Sequence, residues 1–365
     1  MVAAIAPLHL FGALAPDIQE EFGFGDAEQG YAIAAFFAVS ALLSSWGGAL
    51  SDRWGPSKAL RSGTALALAG AVGVVFAPSY GVVVIALCVA AIGNAINQPS
   101  NNTFISGGVP LHRRGLAMGI KQSAIPTSTG LAGLALPTIA VSLGWEAAYV
   151  GAALLAGAAI LAIPHVDPPV AAPATRTRYR PSPLMLRVAI GAGFGAMAIA
   201  NIGTFLVRSL TDAGFSRTLA GTVQVVGSVA LITSRVGWGA LMDRHSDWNR
   251  FAFAAGLLVL GTAAFPMIAT GHDVVAVVGA LLAYGFGWSW PGVVHLATVE
   301  HNPDATGAAS GVLQASMFVG AMTGPALFGV VADAHSFGWA WMMVCGFSAV
   351  AAAMMSAAAL RAEPG

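Results

Sequence analysis

GALSDRWGPSKAL, Gly48 to Leu60, separates two apolar runs, and a second version, GALMDRHSDWNR, Gly239 to Arg250, does the same 191 residues further on. Both phrases are basic, Gly-punctuated and too polar to continue the runs they join. A phrase repeated at nearly half the chain length suggests that the chain is built twice.

The composition explains what the phrase interrupts. Of 365 residues, 57% are hydrophobic and 9% are charged, against roughly 25% charged in a soluble domain. Apolar runs of about 20 residues, long enough to cross a hydrocarbon core of about 30 Å as helices, recur along the chain. The 45 glycines suit helices that approach closely in a bilayer. Net charge is zero, which excludes the basic surface expected of a nucleic-acid binder. Cys88 and Cys345 both lie in apolar runs and read as small packing residues. No basic segment precedes an apolar stretch at the start, so no cleavable signal is expected.

The runs give twelve candidate spans in an all-α polytopic membrane protein. The expected organisation is a six-helix bundle over 1–163, a Pro-rich basic linker over 164–185 and a second six-helix bundle over 186–365. The first run, Met1 to Leu14, would rise only about 21 Å, so helix 1 is expected to be truncated. Arg53, Lys58 and Arg61 follow span 2, Arg113 and Arg114 follow span 4, Arg176, Arg178, Arg180 and Arg187 lie between spans 6 and 7, and Arg244 and Arg250 follow span 8. The first loop instead carries Asp17, Glu20, Glu21, Asp26 and Glu28. The positive-inside rule then places both termini in the cytoplasm of a cell with this protein in its inner membrane.

The repeat extends beyond the opening phrase. At offsets of 191 to 194, Pro99 pairs with Pro291, Gly115, Gly119 and Gln122 with Gly307, Gly311 and Gln314, and Gly144-Trp145 with Gly338-Trp339. One register held through so many spans implies two parallel halves related by a pseudo-twofold axis.

The phrase G-x-L-x-D-R-x-G between spans 2 and 3, with its echo between spans 8 and 9, resembles the signature loop of the major facilitator superfamily, and the likeness covers the whole chain. The resemblance implies two bundles that alternate access to a central site, lined by spans 1, 4, 7 and 10. It assigns Gly48, Asp52, Arg53 and Gly55, with Asp243 and Arg244, to a conformational latch. In that scheme Asp52 docks at the start of span 11, near Asp304 to Gly307, where a carboxylate gains from the helix dipole. Asp243 docks likewise by Arg113 and Arg114. The bland reading is that these turns only fix topology. Two departures weaken a drug-antiporter reading: Val89 stands where many proton-coupled relatives carry Arg, and Pro126 follows Ile125 where a G-P-x-x-G-G phrase would stand.

Specific chemistry is expected where the two halves differ. Span 4 carries Asn94, Asn97, Gln98, Asn101 and Asn102, largely on one helical face, whereas span 10 carries Trp288, Trp290 and His295. Amides poorly satisfied by lipid should face protein or a water-filled cavity, either as substrate ligands or as glue between helices. Lys121 and Arg235 lie inside spans 5 and 8, which face each other in the family, and the span interiors contain no Asp or Glu. A lone cation at mid-helix costs about 2.5 to 3.5 kcal/mol on insertion scales. Snorkelling toward headgroups would relieve it; an anionic substrate would satisfy it.

The expected function is therefore a secondary transporter for a small organic anion or similar metabolite, with Lys121 and Arg235 attracting the anion, the span 4 amides orienting it and Trp288 and Trp290 forming an apolar wall. Proton-coupled drug or metabolite efflux is the alternative, with His9 and His295 as candidate proton carriers. No P-loop, metal cluster or nucleophile elbow is present in the sequence, so no cofactor, metal or enzymatic activity is expected. The expected partners are a small-molecule substrate, the bilayer and protons, with no nucleic acid, and the chain is expected to be a monomer.

Overall fold

The computed structural model describes residues 1–108, 120–164, 180–245, 247–302 and 306–362. Among them there are only helices and their connections. In chain order these are α1 (Val2–Ala13), α2 (Ala15–Phe22), α3 (Asp26–Trp54), α4 (Pro56–Val75), α5 (Tyr80–Gly108), α6 (Ala124–Ala135) and α7 (Trp145–Ala162). After the linker come α8 (Pro183–Asp212), α9 (Arg217–Arg244), α10 (Arg250–Ala269), α11 (Asp273–Leu282), α12 (Trp290–His301), α13 (Thr306–Ala334) and α14 (Phe337–Ala362). Among the described residues, eleven segments are long and apolar enough to cross a membrane. A twelfth results if α1 and α2, bent by 67°, count as one broken span.

The sequence dictates where several helices start. The Ser182 hydroxyl accepts from the Met185 N–H at 3.1 Å, and the Ser216 hydroxyl from the Leu219 N–H at 3.2 Å. The Asn249 side chain accepts from both Phe251 and Ala252. Each cap satisfies donors that the first helical turn leaves without intrahelical partners.

The residues form two compact units. The first comprises Met1–Phe24 and the described part of Ala35–Arg176. In it α4 lies along α5 and α7, while α1 packs on α4, α5, α6 and α7. The α4–α5 seam is backbone against backbone: a methyl group added at Gly93 would sit 2.3 Å from the Gly63 carbonyl oxygen, and one at Gly63 would sit 2.8 Å from that of Gly93. Without a strong hydrophobic drive between helices in lipid, this kind of close approach supplies the cohesion. Span 5 departs from regular α geometry at Leu136–Ala140, a π turn containing Pro137, where proline withholds one helical N–H.

The second unit comprises Gly25–Ala34 and the described part of Thr177–Gly365. In it α8 packs on α13 and α14, and α10 packs on α14. The first turns of α3 therefore belong to this unit, although the rest of that helix belongs to the first. Val274 to Val299 reads as one span in the sequence, but it is interrupted in the structure: α11 passes into a π turn at Ala283–Gly287, Trp288 and Ser289 form a turn, and α12 begins at Trp290.

Candidate substrate-translocation site

Within the second unit, the interruption in span 10 gathers most of the unusual chemistry. A π turn disrupts the regular ladder and leaves carbonyl oxygens for other donors. Side chains supply them. The Arg235 Nη2 on α9 donates to the Trp288 carbonyl at 3.3 Å, the Trp238 indole N–H is 3.4 Å from the Gly285 carbonyl, and the Ser289 hydroxyl donates to that same oxygen at 2.5 Å. Arg235 is half-buried. The Tyr284 ring fills the space that a Cβ at Gly227 would take, at 2.3 Å, and stacks in tilted fashion on Trp288 with centroids 5.5 Å apart.

Trp288 and Trp290 are both buried. The Trp290 ring lies over Gly195 of α8, where an added Cβ would come within 2.5 Å of it, and its indole N–H has no hydrogen-bond partner among the described residues. The His295 Nδ1 lies 2.8 Å from the Pro291 carbonyl, one helical turn back.

Within the first unit, the amides of span 4 point into two different seams. The Asn94 side-chain NH2 donates to the Ser40 hydroxyl at 3.1 Å, which donates to the Ala91 carbonyl at 3.2 Å, tying α5 to α3. Asn97 instead lies against Gly63 of α4, with its amide carbon 3.0 Å from the position of an added Cβ. Both polar atoms of the Asn97 side chain are buried without a hydrogen-bond partner among the described residues. The Asn101 amide donates to the Asn97 carbonyl at 2.7 Å, and Gln98 is half-buried. Lys121 is half-buried in the helical turn that precedes α6. His9 is buried on α1, its Nδ1 without a partner among the described residues. Two residues earlier, the Pro7 carbonyl accepts from the Tyr149 hydroxyl at 3.0 Å. No group of three or more His, Cys, Asp or Glu among the described residues could hold a metal ion.

The sequence model described as Major Facilitator Superfamily matches residues 2–318. The chain belongs to the major facilitator superfamily. Two uncharacterized MFS-type transporters from two strains of Mycobacterium tuberculosis are 28% identical to it over 267 residues, 68% of this chain. The match spans 58% of the length of those curated relatives. Among solved structures, a D-xylose–proton symporter superposes with a TM-score of 0.76 at 18% identity, over 97% of this chain and 95% of the other. A bacterial homolog of the human lysosomal transporter Spinster, in an inward-facing and occupied conformation, does so at 0.71 and 17%, over 98% and 91%. At these identities the structural likeness speaks for the fold, which is the all-α, polytopic architecture of the superfamily.

The signature loop of a superfamily member can now be placed in part. Gly48 lies 3.7 Å, at an added Cβ, from Pro99. Gly55 adopts φ 80° and ψ 153° before Pro56 opens α4, a conformation essentially confined to glycine. Arg53 and Arg244 are exposed in the last turns of α3 and α9. The side chains of Asp52, Asp243, Asn102, Arg113, Arg114 and Asp304 fall outside the described residues.

Two polar clusters went unnoticed in the sequence. Arg250, read there only as a topology signal, is buried and bonded to Glu300 and to backbone carbonyls. Asp26, read as part of an acidic loop, pairs with Arg208. The available hint for the second was a basic residue near the exit of span 7, at an end otherwise rich in acids.

Proposed function

We propose that the chain is a secondary transporter that moves a small organic anion or similar metabolite across the cytoplasmic membrane by alternating access. The observation that carries this reading is a pair of half-buried cations, Lys121 and Arg235, in spans whose interiors hold no carboxylate. A cation at such depth is costly in a bilayer and favours an anionic neighbour, and a carboxylate cargo matches it. Arg235 suits this role because its guanidinium presents N–H donors in a planar fork whose geometry matches a carboxylate. Lys121 acts as a point charge. Asn94, Asn97, Gln98 and Asn101 orient the cargo, and Trp288 and Trp290 give its apolar part a wall.

In this scheme bundles 1–163 and 186–365, joined by a linker at 164–185, move about the central site as single bodies, with both termini in the cytoplasm. Gly48, Asp52, Arg53 and Gly55, with Asp243 and Arg244, latch the cytoplasmic end. His9 and His295 are the candidate proton carriers, since imidazole is the side chain whose unperturbed pKa lies nearest neutral pH. The transporter works as a monomer in the bilayer, without cofactor.

The test is a thermal-shift screen of the purified protein against carboxylates, inorganic anions and uncharged aromatic compounds. A ligand at about 100 times its dissociation constant stabilises by about 2.7 kcal/mol. A carboxylate should raise the midpoint, and Lys121→Ala or Arg235→Gln should remove the rise. Stabilisation by uncharged aromatics that survives Lys121→Ala would instead favour proton-coupled efflux.

A further inference from the structure

In the first unit the sixth span ends on carbonyls that its own sequence leaves uncapped. Helix α7 closes at Ala162, and Ile163 turns to an extended conformation with φ −65° and ψ 112°, as a residue before proline does. The sequence that follows, Pro164-His165-Val166, offers no glycine to close the end. Donors come from α4 instead. The Ser57 hydroxyl donates to the Pro164 carbonyl at 2.8 Å, and the Arg61 Nη2, one turn further on, donates to the Ile163 carbonyl at 2.8 Å. Ser57 is buried and Arg61 exposed, so one bond is sheltered while the other brings a cation to a helix C-terminus, where the dipole favours it.

The second unit has the same device in different chemistry. Asn249 stands 192 residues after Ser57, in the register of the internal repeat. Its Nδ2 donates to the Ala359 carbonyl at 3.0 Å, in the last turn of α14, while its Oδ1 caps the start of α10. In each unit, therefore, the start of the third span supplies a donor and the end of the sixth accepts it. The units differ one turn later, where Phe253 takes the place of Arg61 and packs edge-on against Trp238 with centroids 5.7 Å apart. The additional donor belongs to the half whose sixth span runs into the linker.

We propose that Ser57 and Arg61 anchor the root of the linker to the start of α4, two residues past Gly55 of the signature turn, so that the linker leaves the first unit from a fixed point rather than from a fraying helix end. Asn249 ties the end of α14 to the start of α10 in the same way. These are positioning residues that hold backbone, and the inference goes beyond the transport reading, since it applies whatever the chain carries.

Hydrogen–deuterium exchange of the intact protein in nanodiscs tests the anchor without any solute. The Ile163 N–H donates to the Ala159 carbonyl at 3.1 Å, so exchange in the last turn of α7 reports whether the root is held. Ser57→Ala with Arg61→Met should speed that exchange by about tenfold or more, as loss of two ordinary hydrogen bonds implies. Arg61→Lys, which keeps a donor and a charge, should leave it unchanged. Thermal unfolding verifies that each variant is folded. Should the double variant not fold, Arg61→Met alone, at an exposed position, should give about threefold or more.

Asn249→Asp separates the two bonds of one side chain. The carboxylate still accepts from the Phe251 and Ala252 N–H groups but has no proton to give Ala359. The start of α10 should stay protected while the last turn of α14 exchanges about fivefold faster or more; Asn249→Ser, a shorter cap, is the substitute if that variant does not fold. Unchanged exchange at the end of α7 in the folded Ser57 and Arg61 variants overturns the anchor. So does an Arg61→Lys protein that loosens as much as Arg61→Met, because packing rather than the donor would then be what Arg61 contributes. Unchanged exchange at the end of α14 in the Asn249 variants overturns the counterpart in the second unit.

Discussion

Arg250 grips Glu300 with both Nε and Nη2, each at 3.3 Å, while its Nη1 donates to the carbonyls of Met242 at 3.0 Å and His245 at 3.2 Å. One guanidinium thus staples the end of α9, the start of α10 and the end of α12. The two partners are not equal in consequence, because Arg250 is 8% accessible and the Glu300 side chain 42%.

Arg250→Ala should therefore cost more than Glu300→Ala. The first removes a buried cation and leaves two carbonyls to find other donors, at about 1–3 kcal/mol for each group stranded away from water. The second removes a partner that water can replace, at about 0–1 kcal/mol. Thermal unfolding in detergent measures both; equal losses would contradict the assigned geometry.

Gly93→Ala should disrupt the first unit, since its new methyl would meet the Gly63 carbonyl oxygen at 2.3 Å and overpacking costs typically about 1–3 kcal/mol. Gly81→Ala, on the same helix with no atom within 4 Å of the new Cβ, should be neutral or slightly stabilising. The pair compares steric room with helix propensity in one experiment. A lower unfolding midpoint for both would point to some effect other than the seam.

Ser40→Ala separates the two uses of the span 4 amides. It deletes the hydroxyl between the Asn94 amide and the Ala91 carbonyl, and interhelical hydrogen bonds in membranes contribute about 0.6 kcal/mol on average and about 1.7 at most. If Asn94 serves as glue, stability should fall by that much while ligand affinity holds. A tenfold or greater loss of affinity at unchanged stability would assign Asn94 to the cargo.

Gly55→Ala should cost about 1–3 kcal/mol, because φ 80° with ψ 153° is a region that a Cβ makes strained. Among the described residues Gly48→Ala meets only Pro99, at 3.7 Å, and should be tolerated. If stability and transport respond alike to both, the turn conformation is not what the signature glycine provides.

The superfamily was legible because its marks are local. An apolar run of about 20 residues has one solution in a bilayer, and the phrase at Gly48–Leu60 has a specific spacing. The family match bears out that resemblance and the all-α fold. What the sequence concealed depends on pairing across distance. The Trp288 and Trp290 stretch reads as continuous helix because Gly285 and Gly287 are unremarkable among 45 glycines; only the structure shows donors from α9 waiting on the broken turn. Asp26 and Asp333 are 307 positions apart, and no local pattern links them. The span 4 amides share a face by helical spacing, but spacing cannot say that Asn94 meets Ser40 of α3 while Asn97 meets Gly63 of α4.

Helix α3 runs 29 residues, Asp26 to Trp54, without a proline, roughly 43 Å of regular helix. It leaves the second compact unit at residue 35 and continues in the first, with no proline to serve as a joint there. The boundary between the two units therefore falls on unbroken helix rather than on a loop, and sharp bends in helices ordinarily need a proline, a π turn or an inserted group.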